Sequence, residues 1–219
     1  TSKVSLIKKK NESPGILKYE SKEDWQNMRS FEDPYVELKQ MNEKRKSAYS
    51  CLKDVHILRK ANGNVYEGQM KKGQFSGLGT YTYSSSDSME KKDFTRGPFA
   101  DQYLTKKGRV YKGNFAHNKF NGEGELTFRN GSVYIGGFKD GLFFGPGIFS
   151  YPNGTVYKGW FINNLAHGEG TFEFSNGDIF FGHFQEGVLL GKGELVSSQG
   201  EIYSGSFAGL YHRELIDSI

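Results

Sequence analysis

A nine-residue phrase returns five times in this chain at a fixed step, and that step decides what the chain can fold into. "KGRVYKGNF" begins at Lys107, "NGSVYIGGF" at Asn130, "NGTVYKGWF" at Asn153, "NGDIFFGHF" at Asn176 and "QGEIYSGSF" at Gln199. Their central aromatics, Tyr111, Tyr134, Tyr157, Phe180 and Tyr203, stand 23 residues apart. Such self-similarity marks a repeat architecture, in which each unit buries its apolar surface only against its neighbours. An earlier copy centres on Tyr66, 45 residues before Tyr111, which is one short of two periods. The motif is missing over residues 84–106, which read as a degenerate unit or an irregular insertion.

Within residues 122–144, "GEGELTFRNGSVYIGGFKDGLFF", the dipeptide Asn130-Gly131 lies between two alternating runs. Asn-Gly is the strongest short-range signal for a two-residue type I′ hairpin. With that loop, Phe128 faces Val133 and Leu126 faces Ile135 on one side, while Tyr134, Gly136 and Phe138 point to the other. A glycine two residues after each aromatic (Gly68, Gly113, Gly136, Gly159, Gly182, Gly205) lets a neighbouring ring lie over the backbone. Stacking of Tyr66, Tyr111, Tyr134, Tyr157, Phe180 and Tyr203 between repeats is the expected result, with Thr155 exposed near a turn. The fold class is an all-β repeat: an elongated single antiparallel meander sheet of successive hairpins. Each hairpin adds about 10 Å, so six or seven units make a rod of about 60–70 Å.

Residues 1–53 differ in kind. Residues 1–60 hold 14 Lys and Arg against 9 Asp and Glu, so the net +4 of the chain resides there and the repeats are near neutral. The first twenty residues read as a flexible lead-in, followed by a short helix from Ser21 to about Phe31. Asp33-Pro34 then starts a longer helix, with Tyr35, Leu38, Met41, Arg45, Ala48, Tyr49 and Leu52 forming its buried stripe. That helical arm is expected to cap the first repeat, or alternatively to engage a partner helix; the sheet then occupies 54–219.

These residues resemble the MORN repeat family, whose units are 23-residue hairpins with a Gly-x-Gly-x-aromatic strand, an Asn-Gly turn and Tyr-x-Gly. The resemblance is close over 107–209 and looser over 54–83. It departs between Ser84 and Arg109, and at Phe180, which replaces tyrosine. It implies a meandering sheet that serves as a scaffold in cilia, cytoskeletal assemblies or membrane contact sites.

The chain departs from the family again where Lys, Arg and His usually precede Gly-x-Gly. Here "GLFFG" and "GVLLG" stand instead. Phe120, Leu142, Phe143, Phe144, Leu165, Val188, Leu189 and Leu190 are therefore candidates for a partner-binding edge, with packing on the adjacent turn as the alternative. Lys8, Lys9 and Lys10 are candidates for contact with anionic lipid, each cation contributing about 1 kcal/mol near such a surface.

No catalytic residue, metal ligand set or cofactor site is read from the sequence. Cys51 has His56 five residues away and no third orienting group. The five histidines stand singly, and no Gly-x-Gly precedes a helix or a Gly-Lys-Ser/Thr. A single cysteine excludes an intramolecular disulfide framework and fits a reducing, cytoplasmic compartment. No basic stripe recurs along the repeats, so nucleic acid is not a partner.

The resulting expectation is a non-enzymatic scaffold that assembles protein partners, in a cilium or axoneme or another part of the cytoskeleton. A membrane tether acting through the basic arm, and an accessory module of a larger enzyme, are the alternatives. An unpaired strand near Tyr203–Phe207 would also invite an edge-to-edge homodimer.

Overall fold

The computed structural model describes residues 5–8, 34–49, 52–84 and 110–211. One helix, α1 (Pro34–Tyr49), and thirteen strands are present among them: β1 (Ser5–Lys8), β2 (His56–Arg59), β3 (Val65–Lys71), β4 (Gln74–Thr82), β5 (Val110–Ala116), β6 (Lys119–Thr127), β7 (Val133–Lys139), β8 (Leu142–Ser150), β9 (Val156–Ile162), β10 (Leu165–Glu173), β11 (Ile179–Gln185), β12 (Val188–Val196) and β13 (Ile202–Tyr211). Strands β2 to β13 pair in sequence order as one antiparallel meander, and β1 adds to its far edge on β13. The lead-in thus contributes a strand, with Leu6 opposite Gly205 and Lys8 opposite Tyr203. The helix read at Ser21–Phe31 lies outside the described residues.

Each 23-residue step contains two different turns, and the type I′ turn is not the Asn-Gly one. Strands β7 and β8 join through Asp140 (φ 53°) and Gly141 (φ 87°), both in the left-handed region that a two-residue type I′ loop demands. The same place is held by Lys72-Gly73, His117-Asn118, Asn163-Asn164 and Glu186-Gly187. The Asn-Gly connection is longer: in 128–132 the Phe128 amide bonds the Ser132 carbonyl and the Gly131 amide bonds the Phe128 carbonyl. Asn130 Oδ1 accepts the Ser132 amide at 3.0 Å, and Gly131 carries the positive φ of 89°. Here asparagine caps a loop with its side chain rather than by entering the left-handed region.

This five-residue loop shifts the register by one from the sequence expectation. Leu126 faces Tyr134 and Glu125 faces Ile135. Tyr134, Leu126 and Phe128 therefore share the buried side, and Val133 and Ile135 lie on the other. Ser132 and Thr155, at the loop exits, are buried rather than exposed.

Strand β4 pairs directly with β5, Tyr81 opposite Tyr111, so no hairpin is absent between them. The connection 83–109 takes 27 residues where 128–132 takes five, and residues 85–109 lie outside the described set.

The core is a ladder of rings over a row of glycines. Gly68, Gly79, Gly113, Gly124, Gly136, Gly147, Gly159, Gly170, Gly182, Gly193 and Gly205 follow one another across the sheet in register. A Cβ at Gly147 would meet Tyr134 Oη and Cε2 at 2.5 Å, so the ring rests directly on the backbone. Just before this row each second strand bulges, at a glycine with positive φ such as Gly77, Gly122 or Gly145. The first glycine of each Gly-x-Gly thus bends the strand and the second makes room for the ring. The tyrosine hydroxyl completes the arrangement by donating to the carbonyl three residues on, at Gln69 (2.5 Å), Asn114 (2.8 Å) and Gly137 (3.0 Å), beside the bulge.

Face-to-face stacking occurs within a hairpin, not between repeats. Tyr66 stacks on Phe75 at 3.8 Å, Tyr111 on Phe120 at 3.7 Å and Tyr134 on Phe143 at 3.6 Å. The next hairpin supplies an edge-on ring: Phe115 to Tyr66, Phe138 to Tyr111, Phe161 to Tyr134 and Phe184 to Tyr157. Each such aromatic pair contributes about 1 kcal/mol beyond its area. Phe180, lacking a hydroxyl, sits in the ladder above Gly182 beside Leu189.

Asparagines at two of the turns, Asn118 and Asn164, tie a hairpin to the one before. Asn164 accepts the Phe143 amide on Oδ1 at 2.7 Å and donates its own amide to the Phe143 carbonyl at 3.2 Å; Asn118 does the same to Phe75. Asn164→Gly keeps the left-handed turn (φ 73°) and removes only the side-chain acceptor. It should cost about 1 kcal/mol, a melting shift of about 2–4 °C. An unchanged thermal transition would show that the tie carries no stability.

Helix α1 lies on β6, β7 and β8, in the middle of the sheet rather than over the first repeat. Its buried stripe is Leu38, Asn42 and Arg45, and Met41 is exposed. Asn42 donates to Glu125 Oε2 at 2.6 Å, Arg45 donates to Asn42, and Lys46 lies 3.9 Å from Glu125. Burial raises the Glu123 carboxyl above its usual range, with Arg45 pulling the other way. The outer face bears carboxylates there, and a polar helical stripe matches them.

Candidate interaction surface on the outer face

The sheet has a core face, carrying the rings, and an outer face. In β9, Tyr157, Gly159 and Phe161 are buried, so Lys158, Trp160 and Ile162 alternate onto the outer face. Trp160 is 52 % exposed and Ile162 38 %. Trp160 pairs across the strands with Pro146 on β8 and His167 on β10, and Ile162 pairs with Leu165. On β8, Phe144 is 39 % exposed at the start of the bulge, with Lys139 Nζ 5.0 Å over its ring. These side chains form one apolar surface across β8, β9 and β10, with half-buried Leu142 and Leu165 along it. Leu190 is a further exposed residue on β12.

The sequence-derived candidates separate by burial. Phe143 (1 %) and Leu189 (0 %) lie inside the core, and Phe120 is half-buried against it. Leu142, Leu165 and Val188 are half-buried, whereas Phe144 and Leu190 are exposed. Lys8 is in β1, and Lys9 and Lys10 lie outside the described residues. Trp160 and Ile162 were not among the candidates. Comparing units would have shown the anomaly, because Trp160 stands where other copies hold Asn114, Gly137, His183 and Ser206.

The family description "MORN repeat" matches residues 66–88, 111–133, 134–156 and 157–179, each segment starting at a ladder tyrosine. The chain carries four MORN repeats. No curated protein matches it. The hairpin β11–β12 continues the MORN geometry beyond the matched segments, with Phe180 in the tyrosine's place and the Asn176 Oδ1 bond to the Asp178 amide at 3.0 Å.

Among the described residues no group of three or more His, Cys, Asp or Glu could hold a metal ion. Two histidines make polar contacts: His183 Nδ1 lies 2.9 Å from Glu169, and His117 Nδ1 lies 3.0 Å from Gln74. No described helix is long and apolar enough to cross a membrane. The outer face of the MORN sheet presents apolar side chains on strands whose alternate residues are buried in the core.

Proposed function

We propose that this chain is a non-enzymatic scaffold that holds a protein partner on the outer face of its MORN sheet, with Trp160, Phe144 and Ile162 as anchors. The observation that carries this reading is the contiguity of three large exposed apolar side chains on strands whose alternate residues are locked in the core. Tryptophan and aromatic neighbours on a rigid base are the chemistry of an interface centre, because little side-chain entropy is lost on binding. A ciliary or cytoskeletal assembly is the setting that the family resemblance supports.

The test is capture from ciliated and non-ciliated cell lysates at physiological salt, with the full chain as bait beside Trp160→Ser. A stoichiometric protein held by the wild-type chain should fall about tenfold in retention, matching the loss of about 1.4 kcal/mol or more at an anchor. The variant should melt with the wild type, since Trp160 is outside the core. Equal retention by both baits would remove this surface from the reading.

A further inference from the structure

The chain before the repeats folds back on the sheet in two places. Strand β1 pairs with β13 along residues near Tyr203, expected to be an open edge, and α1 lies across the outer face of β6, β7 and β8. The second contact hides part of the outer-face surface. Ile148 on β8 has Ile135 and Lys158 as its cross-strand partners on that face, yet only 2 % of it is exposed. Its counterparts Thr80, Thr171 and Glu194, beyond the three strands α1 lies on, are half-buried. Two residues back on the same face, Pro146 stands opposite Trp160, so the strip under α1 runs into the exposed apolar surface of β8, β9 and β10.

The hold of α1 on this strip is mostly polar. Among its described side chains the buried ones are Leu38, Asn42 and Arg45, at steps of four and three residues that share one helix face. Asn42 donates to Glu125, Arg45 donates to Asn42, and the Arg45 charge acts on the Glu123 carboxylate. Buried charges and amides of this kind roughly break even against their lost hydration, so they select what binds more than they hold it. A helix held in this way is matched to its seat without being locked in it. Residues 50–55 tie α1 to β2. A tether that short keeps a released helix beside its seat at an effective concentration of about a millimolar.

We infer that the outer face of β6, β7 and β8 is the seat of a basic helix of the protein partner, and that α1 fills it in the free chain as an autoinhibitory stand-in. This rests on the reading that the partner binds the outer face. The partner's helix presents an apolar residue, an amide and a cation at the spacing of Leu38, Asn42 and Arg45, and it displaces α1 to reach Ile148, Glu123 and Glu125. The exposed patch at Trp160 is the part of the surface open to the partner before α1 leaves.

Fluorescence anisotropy of a labelled peptide of residues 34–49 against the full chain tests this. The double variant Asn42→Asp, Arg45→Glu sets carboxylates against Glu125 and Glu123 and should release α1 with every residue of the seat in place. With a dissociation constant of about 100 μM in trans, α1 fills its seat about ten to one in cis, so the opened chain should bind the peptide about tenfold more tightly than the wild-type chain. Leu38→Asp opens the seat by another route and should give the same affinity. Glu125→Ala added to the double variant should weaken the peptide several-fold. All these chains should keep the wild-type melting transition of the sheet, since the changed side chains lie outside the ring ladder. In the lysate capture, the opened chain should retain several-fold more of the partner than the wild-type chain. Equal peptide affinity for wild-type and opened chains, or no uptake by either opened chain, overturns the inference whatever Trp160→Ser does. Peptide uptake with unchanged partner retention overturns it too, because α1 then covers nothing the partner needs. Tight uptake and raised retention together with an unaffected Trp160→Ser bait support the seat and remove only the Trp160 anchor.

Discussion

Gly159→Val should lower the melting temperature by about 10 °C or leave no folded chain, while Lys112→Val should move it by a degree or two at most. Gly159 has no left-handed φ to protect, so the effect is purely steric. A Cβ there would overlap Tyr157 Oη and Cζ and meet Cε1 at 2.8 Å. The ring has nowhere to go. It is fully buried, with Phe172 at 4.8 Å, Phe161 at 5.4 Å and Phe184 at 5.6 Å around it. Displacing it would also break the edge contact to the next hairpin, so the cost is overpacking plus lost aromatic pairs, about 3–5 kcal/mol. For a chain of this size each kilocalorie shifts the transition by about 2–4 °C. Lys112, opposite Glu125, is exposed on the outer face, and valine suits a strand. Equal transitions for the two variants, followed by circular dichroism, would sink the account of rings resting on glycines. Thr155, whose place in the sequence suggests a harmless exposed control, is buried and does not serve as one.

The period, the hairpin meander and the ring-on-glycine pairing are legible in the sequence because each depends on residue types recurring at fixed spacing. Register is less legible because each repeat contains two turns that compete for the same signal. The Asn-Gly pair suggests a two-residue loop, yet the asparagine works through its side chain and the loop has five residues. The true type I′ sites include Lys72, His117 and Glu186, which are not residues that announce a left-handed turn. A one-residue difference in the Asn-Gly loop decides whether Ile135 or Tyr134 shares the face of Leu126 and Phe128. The helix shows a similar limit. Apolar spacing picks out Met41, but the surface it meets carries Glu123 and Glu125, so Asn42 and Arg45 turn inward. Strand β1 has no repeat around it and pairs with residues about 200 positions away, so nothing local marks it. On the outer face, Trp160 is marked only by being unlike its counterparts in the other units.

Phe143 and Phe144 are adjacent in sequence and should separate fold from binding. Phe143→Ser removes a ring that is 1 % exposed and stacked on Tyr134 at 3.6 Å, with Phe138 at 5.4 Å and Phe161 at 5.7 Å completing its surroundings. Large-to-small changes at such a site cost about 3–5 kcal/mol, and serine adds a hydroxyl to the vacated space. A melting decrease of about 10 °C or more follows. Phe144→Ser takes away a ring that is 39 % exposed on the outer face, with Lys139 Nζ over it, so its transition should stay within about 2 °C of wild type. On the proposed reading the same variant weakens partner capture several-fold, whereas Phe143→Ser lowers capture only as far as it lowers the folded fraction. Thermal denaturation and capture run in parallel on both variants resolve the two contributions. If Phe144→Ser melts early, that ring belongs to the core and the outer-face surface loses one of its anchors. If Phe143→Ser melts normally, the stacking of each ladder tyrosine on its own hairpin's phenylalanine is not what holds the repeat together.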